Sequence, residues 1–259
     1  MAKRTFLLML VVCVVTGTSW AADDAFVGKW KLNPSKSVLT DEMKVASVGA
    51  NKYAFDFGGG DSEIIVIDGT DQPGLFHTTL SVTATGPDAW TVVRKKDGRT
   101  LITGNWKLSP DGNTLTDTFR ANRPDGSISS LDYIYKRTAG TTGFAGTWES
   151  TTEKVNSVYE LQMESYENDG LSFINPSQQS TRNMKFDGKD YPNQGPNLPP
   201  FFMTSGHRVN ERTLELTDKI QGKIRDTQQI QLSADGKTLT TTVHPVGQSK
   251  PNILVFDRE

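Results

Sequence analysis

Phe26-Val27-Gly28-Lys29-Trp30 returns as Phe144-Ala145-Gly146-Thr147-Trp148, 118 residues further along the chain. Working outward from this pair, Asp68-Gly69-Thr70-Asp71-Gln72-Pro73 returns as Asp187-Gly188-Lys189-Asp190-Tyr191-Pro192 at an offset of 119. Leu108-Ser109-Pro110-Asp111-Gly112-Asn113-Thr114-Leu115-Thr116 returns as Leu232-Ser233-Ala234-Asp235-Gly236-Lys237-Thr238-Leu239-Thr240 at an offset of 124. Tyr135-Lys136-Arg137 and Phe256-Asp257-Arg258 match at the two ends. Ordered matches with drifting offsets mean that one unit has been duplicated with small changes in loop length. The repeat places one unit at 23–138 and the other at 144–259, with 139–143 as a short Gly/Thr joint of flexible composition.

Each unit reads as strands. Val, Ile, Thr and aromatic residues alternate with polar ones in short runs divided by Gly, Pro, Asn and Asp, and no segment sustains a helical period. Lys96-Asp97-Gly98 and Ile220-Gln221-Gly222 put glycine where a three-residue hairpin loop needs positive φ, pairing Lys95 with Arg99 and Lys219 with Lys223. That register puts Trp90, Val92, Arg94, Thr100, Ile102, Trp106 and Leu108 on one face of the first unit. In the second unit Leu214, Leu216, Asp218, Ile224, Asp226, Ile230 and Leu232 share the matching face. About nine or ten strands with one apolar face would expose long edges if left open. Closure into an antiparallel up-and-down barrel removes them, and a two-sheet sandwich is the alternative.

Composition excludes several classes. The chain has 259 residues, 28 Lys plus Arg against 30 Asp plus Glu, and one cysteine. No basic excess exists to bind nucleic acid or an anionic membrane. Lys3-Arg4, the apolar run Phe6 to Val15 and Ser19-Trp20-Ala21 read as a secretory signal over 1–22, so the protein is expected to be exported to the periplasm or beyond. The apolar run is too short to span a bilayer as a helix, and none later is longer. Cleavage after Ala21 removes Cys13, leaving a core without disulfides.

Gly-x-Trp on the first strand, a meander of hairpins, and an arginine on the last strand resemble the lipocalin-like (calycin-type) barrels. Phe-x-Gly-x-Trp-x-Leu-Asn-Pro and Phe-Asp-Gly-Lys-Asp-Tyr-Pro also look like segments of secreted bacterial lipocalin-like proteins. The resemblance covers both units and implies an all-β fold of two tandem barrels. It further implies that Gly28 and Trp30 plug the first barrel with Arg137 over the indole, and that Gly146 and Trp148 plug the second under Arg258. By the same resemblance the role is non-catalytic binding of a small apolar or amphipathic molecule in a lumen.

Within the first unit, Trp90, Val92, Ile102 and Trp106 would form an apolar wall, with Arg94 holding a ligand carboxylate by a charge-assisted hydrogen bond. The plainer reading fills the barrel with these indoles and lets Arg94 reach water. Asp218 and Asp226 on paired strands are the candidates for general acid and base work, or else sit at a wet barrel mouth. His77, His207 and His244 have no metal-type spacing, the Asp-Gly-x-Asp segments read as turns, and no cofactor motif stands out. Gly58-Gly59-Gly60 has no helix after it to present amides to a phosphate. Tyr191 to Gly206, rich in proline before Phe201-Phe202-Met203, is either a portal or docking loop or the start of a strand. Two other roles stay open: an interaction module with filled barrels, and a carboxylate enzyme using Asp218 and Asp226.

Overall fold

Residues 24–259 are described by a computed structural model, the side chain at position 141 excepted; the expected signal segment lies outside the described residues. Among the described residues twenty strands follow one another. The first is β1 (Gly28–Leu32). Then come β2 (Glu42–Gly49), β3 (Lys52–Asp56), β4 (Glu63–Val66), β5 (Gln72–Pro73), β6 (Thr79–Gly86), β7 (Ala89–Lys96), β8 (Arg99–Leu108), β9 (Thr114–Asn122), β10 (Ile128–Thr142) and β11 (Ala145–Val155). The second half holds β12 (Glu160–Tyr166), β13 (Gly170–Asn175), β14 (Ser180–Met184), β15 (Tyr191–Gln194), β16 (Phe202–Asn210), β17 (Thr213–Ile220), β18 (Lys223–Leu232), β19 (Thr238–Pro245) and β20 (Asn252–Arg258). Among the described residues, no helix is long and apolar enough to cross a membrane.

All ladders are antiparallel and form two ten-stranded barrel-like sheets. Their membership corrects the expected division of the chain. The first sheet runs β4-β3-β2-β11-β10-β9-β8-β7-β6-β5, and the second closes as β1-β12 through to β20. The two homologous first strands have therefore changed places. Trp30 in β1 pairs with Leu161 and with Arg258 of the second barrel, whereas Trp148 in β11 pairs with Met43 and with Arg137 of the first.

The cause is local. Residues 139–143 are not a free joint: Ala139 pairs with Thr147 and Thr142 with Ala145, so β10 and β11 form a hairpin turning at Gly143, whose φ is +54°. A tight connection keeps consecutive antiparallel strands adjacent. β11 thus takes the place beside β10, and β1 fills the matching place between β12 and β20. The expected partnerships of Trp30 with Arg137 and Trp148 with Arg258 are exchanged accordingly. The guanidinium of Arg258 lies 4.1 Å from the Trp30 ring centre, and that of Arg137 lies 4.2 Å from Trp148. Both indoles are fully buried, and each donates from Nε1 to the carbonyl four residues earlier, Phe26 and Phe144, at 3.0 Å.

The first sheet is not zipped by a backbone ladder between β4 and β5. Gln72 bridges that seam: its Oε1 accepts from the Val66 amide at 2.9 Å and its Nε2 donates to the Val66 carbonyl at 2.8 Å. A side-chain amide here does the work of a strand partner.

The hairpin tips differ by one residue from the expected register. Asp97-Gly98 and Gln221-Gly222 both have positive φ at the two positions and make two-residue turns, pairing Lys96 with Arg99 and Ile220 with Lys223. A bulge in each following strand restores the alternation, so Arg94 faces Ile102 and Asp218 faces Asp226 on the lumen side. Ile224 lies on the tip side of its bulge and points outward, 48% exposed, against the expected inward placement. Arg225, the bulged residue, reaches the other barrel and pairs with Asp61 at 2.5 Å.

Candidate functional site

The duplication gives two lumens with different linings. In the first barrel a cavity of about 240 Å³ is bordered by Met43, Leu80, Val92, Ile102, Trp106 and Phe119, with Asp41, Arg94, Asp117, Tyr133 and Tyr135 as its polar groups. Four of the five residues expected to form a ligand wall, Val92, Arg94, Ile102 and Trp106, are therefore brought together. Trp90 lies a layer away, its ring stacked on Phe144 with centres 3.8 Å apart.

Arg94 does not stand ready for a ligand carboxylate. Its Nη1 and Nη2 bond Glu63 Oε1 at 2.8 Å and Oε2 at 2.6 Å, and Nη1 also bonds Thr78 Oγ1 at 2.8 Å. Glu63 additionally accepts from the Leu75 amide. A bidentate pair of this kind uses the guanidinium fork that a carboxylate ligand would need. Sequence reasoning missed Glu63 because β4 meets β7 only through barrel closure.

Three carboxyl groups gather nearby. Asp41 accepts from Tyr135 Oη at 2.7 Å and from Gln248 Nε2 at 3.3 Å, and burial nonetheless raises its pKa. Asp117, 7% exposed, has no hydrogen-bond partner at Oδ1 among the described residues. Burial pushes it up to about 7, with Trp106 and Asn105 donors offsetting part of the rise and the charges of Asp41 and Asp132 adding to it. Glu153, bonded to Ser150 Oγ at 2.6 Å, is likewise pushed to about 7 by burial. Asp117 was legible in principle, because Leu115, Asp117 and Phe119 alternate along β9 and put a carboxyl on an otherwise apolar face.

These raised values predict a pH dependence. A carboxyl whose folded pKa lies above its unfolded one stabilises the fold fully below the unfolded value, and that contribution is lost as pH rises through the folded value. For Asp117 and Glu153 the window runs from about 4 to 7. Denaturant midpoints of the first barrel should fall between pH 5 and 8, and Asp117→Asn should flatten that slope. A midpoint that rises over this interval would contradict the burial argument.

The second lumen holds two spaces that share Tyr159, Leu161, Phe173 and Arg182, one of about 340 Å³ and one of about 350 Å³. The first is walled by Leu161, Ile230, Val243, Leu254 and Phe256 and, from the other barrel, by Leu131 and Val155. Its charged lining groups are Arg123 and Arg182. Arg123 follows β9 and is 9% exposed; its Nη2 donates to the Val158 carbonyl at 3.0 Å, and its Nε has no partner among the described residues. Arg182 bonds Asn193 Oδ1 at 3.2 Å and Asp218 at 3.3 Å.

Arg182 and Asp218 occupy the repeat positions of Glu63 and Arg94, so the duplicated ion pair is kept with its polarity reversed. Asp218 and Asp226 do face one another inside the barrel, bridged by Gln228 Nε2 at 2.9 and 2.8 Å. Burial and the Asp218 charge raise the pKa of Asp226. Asp218 also accepts from the Thr204 hydroxyl, which together with Gln228 and Arg182 engages both of its oxygens.

The proline-rich segment lies at this lumen's second space through Asn197, Leu198 and Phe202, where β16 begins. Phe201 is 74% exposed. Lys96, at the tip of β7 in the first barrel, clamps the segment by donating to the carbonyls of Pro196 at 3.1 Å and Leu198 at 3.2 Å. Among the described residues, no three His, Cys, Asp or Glu side chains converge as a metal site.

Neither a scan of protein-family models nor searches of curated proteins and solved structures finds a match to this chain.

Proposed function

We propose that the chain is an exported, lipocalin-like binding protein that holds a small amphipathic, carboxylate-bearing molecule in the second lumen. One observation carries this reading: an apolar cavity of about 340 Å³ has two guanidinium groups as its charged lining, and one of them, on Arg123, retains a buried Nε with no partner among the described residues. Its size falls within the roughly 300–1,000 Å³ of small-molecule sites, which are mostly apolar with a few placed polar groups. A carboxylate supplies the acceptor that Arg123 lacks, while an alkyl body covers Leu161, Ile230, Leu254 and Phe256. In this reading the anchoring role expected of Arg94 passes to Arg123, because Arg182, like Arg94, is held by a buried carboxylate, Asp218. The resemblance of Gly-x-Trp and the terminal arginine to lipocalin-like barrels supports the same class of role.

Calorimetric titration of the two-barrel chain with decanoate and with decanol tests this. Decanoate should bind at least tenfold tighter, since a hydrogen bond to a charged group contributes about 1.5–3 kcal/mol. Arg123→Gln should erase that preference, and Leu161→Trp should block both probes by filling the space the two cavities share. Equal affinity for the two probes, or decanoate binding unaffected by Leu161→Trp, would refute the assignment.

A further inference from the structure

The first lumen offers the opposite chemistry. Its one lining cation, Arg94, is neutralised by Glu63, and its remaining charged lining groups are Asp41 and Asp117. Asp41 is engaged by Tyr135 and Gln248. Asp117 keeps one oxygen unmatched: it is more than nine-tenths buried, borders the cavity, and its Oδ1 has no donor among the described residues. Such a group is costly to keep in a folded core unless something supplies the missing donor.

The surroundings say what kind of donor fits. Phe57, Trp106, Phe119 and Tyr133 border the same space, with Phe57 edge-on to Trp106 at 6.2 Å and Phe119 edge-on to Tyr133 at 6.1 Å. Aromatic faces attract cations, and a carboxylate makes its strongest hydrogen bonds with charged donors. Gly104 opens the approach. A side chain there would come within 3.0 Å of Asp117 Oδ1 and 3.2 Å of Trp106 Nε1, whereas the repeat position in the second barrel carries Gln228. The matching positions of Trp106, Asp117 and Tyr133 in the second unit are Ile230, Thr241 and Leu254, so this grouping of a carboxyl with two aromatic rings is not repeated at those positions of the second lumen.

We propose that the first lumen is a second, independent binding site, for a small organic amine whose ammonium group donates to Asp117 while its body packs among Phe57, Trp106, Phe119 and Tyr133. The cavity of about 240 Å³ limits the occupant to something smaller than a drug-sized molecule. This proposal does not depend on what the second lumen binds.

The experiment compares phenethylamine with phenethyl alcohol, which differ only in the donor, by titration into the two-barrel chain. The amine should bind at least tenfold more tightly. Asp117→Asn should reduce that preference to within about twofold and leave decanoate affinity unchanged. This variant is expected to fold, because it removes a buried carboxyl rather than its partner. Gly104→Ala, which keeps the carboxylate but crowds it, should weaken both probes. Equal binding of the two probes, a preference that survives Asp117→Asn, or no binding of either would overturn the proposal. A failed decanoate titration bears only on the second lumen.

Discussion

Trp30→Ala will loosen the second barrel and leave the first intact, although Trp30 belongs to the first copy of the repeat. The indole is fully buried within the core that contains Met163, Leu214, Leu239 and Phe256. Removing a buried tryptophan costs about 3–5 kcal/mol through lost contacts and the cavity left behind. The Nε1 bond to Phe26 and the stacking of Arg258 vanish with it. Trp148→Ala should produce a loss of the same size in the first barrel, where Trp148 packs with Met43, Trp90 and Leu115. Hydrogen exchange resolved by peptide separates the outcomes. Trp30→Ala should raise exchange across 160–258 and spare 42–142, and Trp148→Ala should do the reverse. If each substitution instead affected the barrel of its own sequence half, the strand exchange would be wrong.

The second large effect concerns the buried pair in the first barrel. Arg94→Ala should destabilise that barrel by about 3–5 kcal/mol, the range for leaving one partner of a buried ion pair without the other. Glu63 makes this severe, since its side chain is only 1% exposed and would keep just its backbone donor at Leu75. Arg182→Ala in the second barrel should cost less, because Asp218 retains donors from Thr204 and Gln228. The repeat also suggests a repair. Glu63→Arg with Arg94→Asp imports the polarity of the second barrel and should recover part of the loss of either single change. Urea midpoints of the five variants decide it, and an Arg94→Ala loss below about 1 kcal/mol would show that the pair is not a structural tie.

Much of this was legible in the sequence because a strand has a period of two. Once the repeat aligned the units, alternation identified Val92, Ile102, Trp106, Leu214, Leu216 and Ile230 as inward residues. It also put Asp218 and Asp226 on the inward face, while the bulge at Arg225 is what sets them opposite one another. The period fails at a bulge, as Ile224 shows, since one added residue turns the side chain at the tip outward.

The candidate sites were less legible, for a different reason. Glu63 is 31 residues from Arg94, and Arg123 borders a lumen formed mainly by the other half of the chain. Neither contact leaves a spacing pattern. Asp117 left a faint one, as a carboxyl in register with the apolar positions of β9.

By itself the sequence determined that two copies of one antiparallel meander exist and which faces turn inward; that an indole and an arginine of each copy stack in a barrel was what the resemblance to lipocalin-like barrels implied. Only the tertiary structure decided which indole meets which arginine, which charges are paired, and which cavity carries acids or guanidinium groups. The reason is physical: alternation and turn chemistry act over a few residues, whereas strand partners at a closing seam are chosen by a tight hairpin at Gly143 and by the vacancy it forces β1 to fill elsewhere.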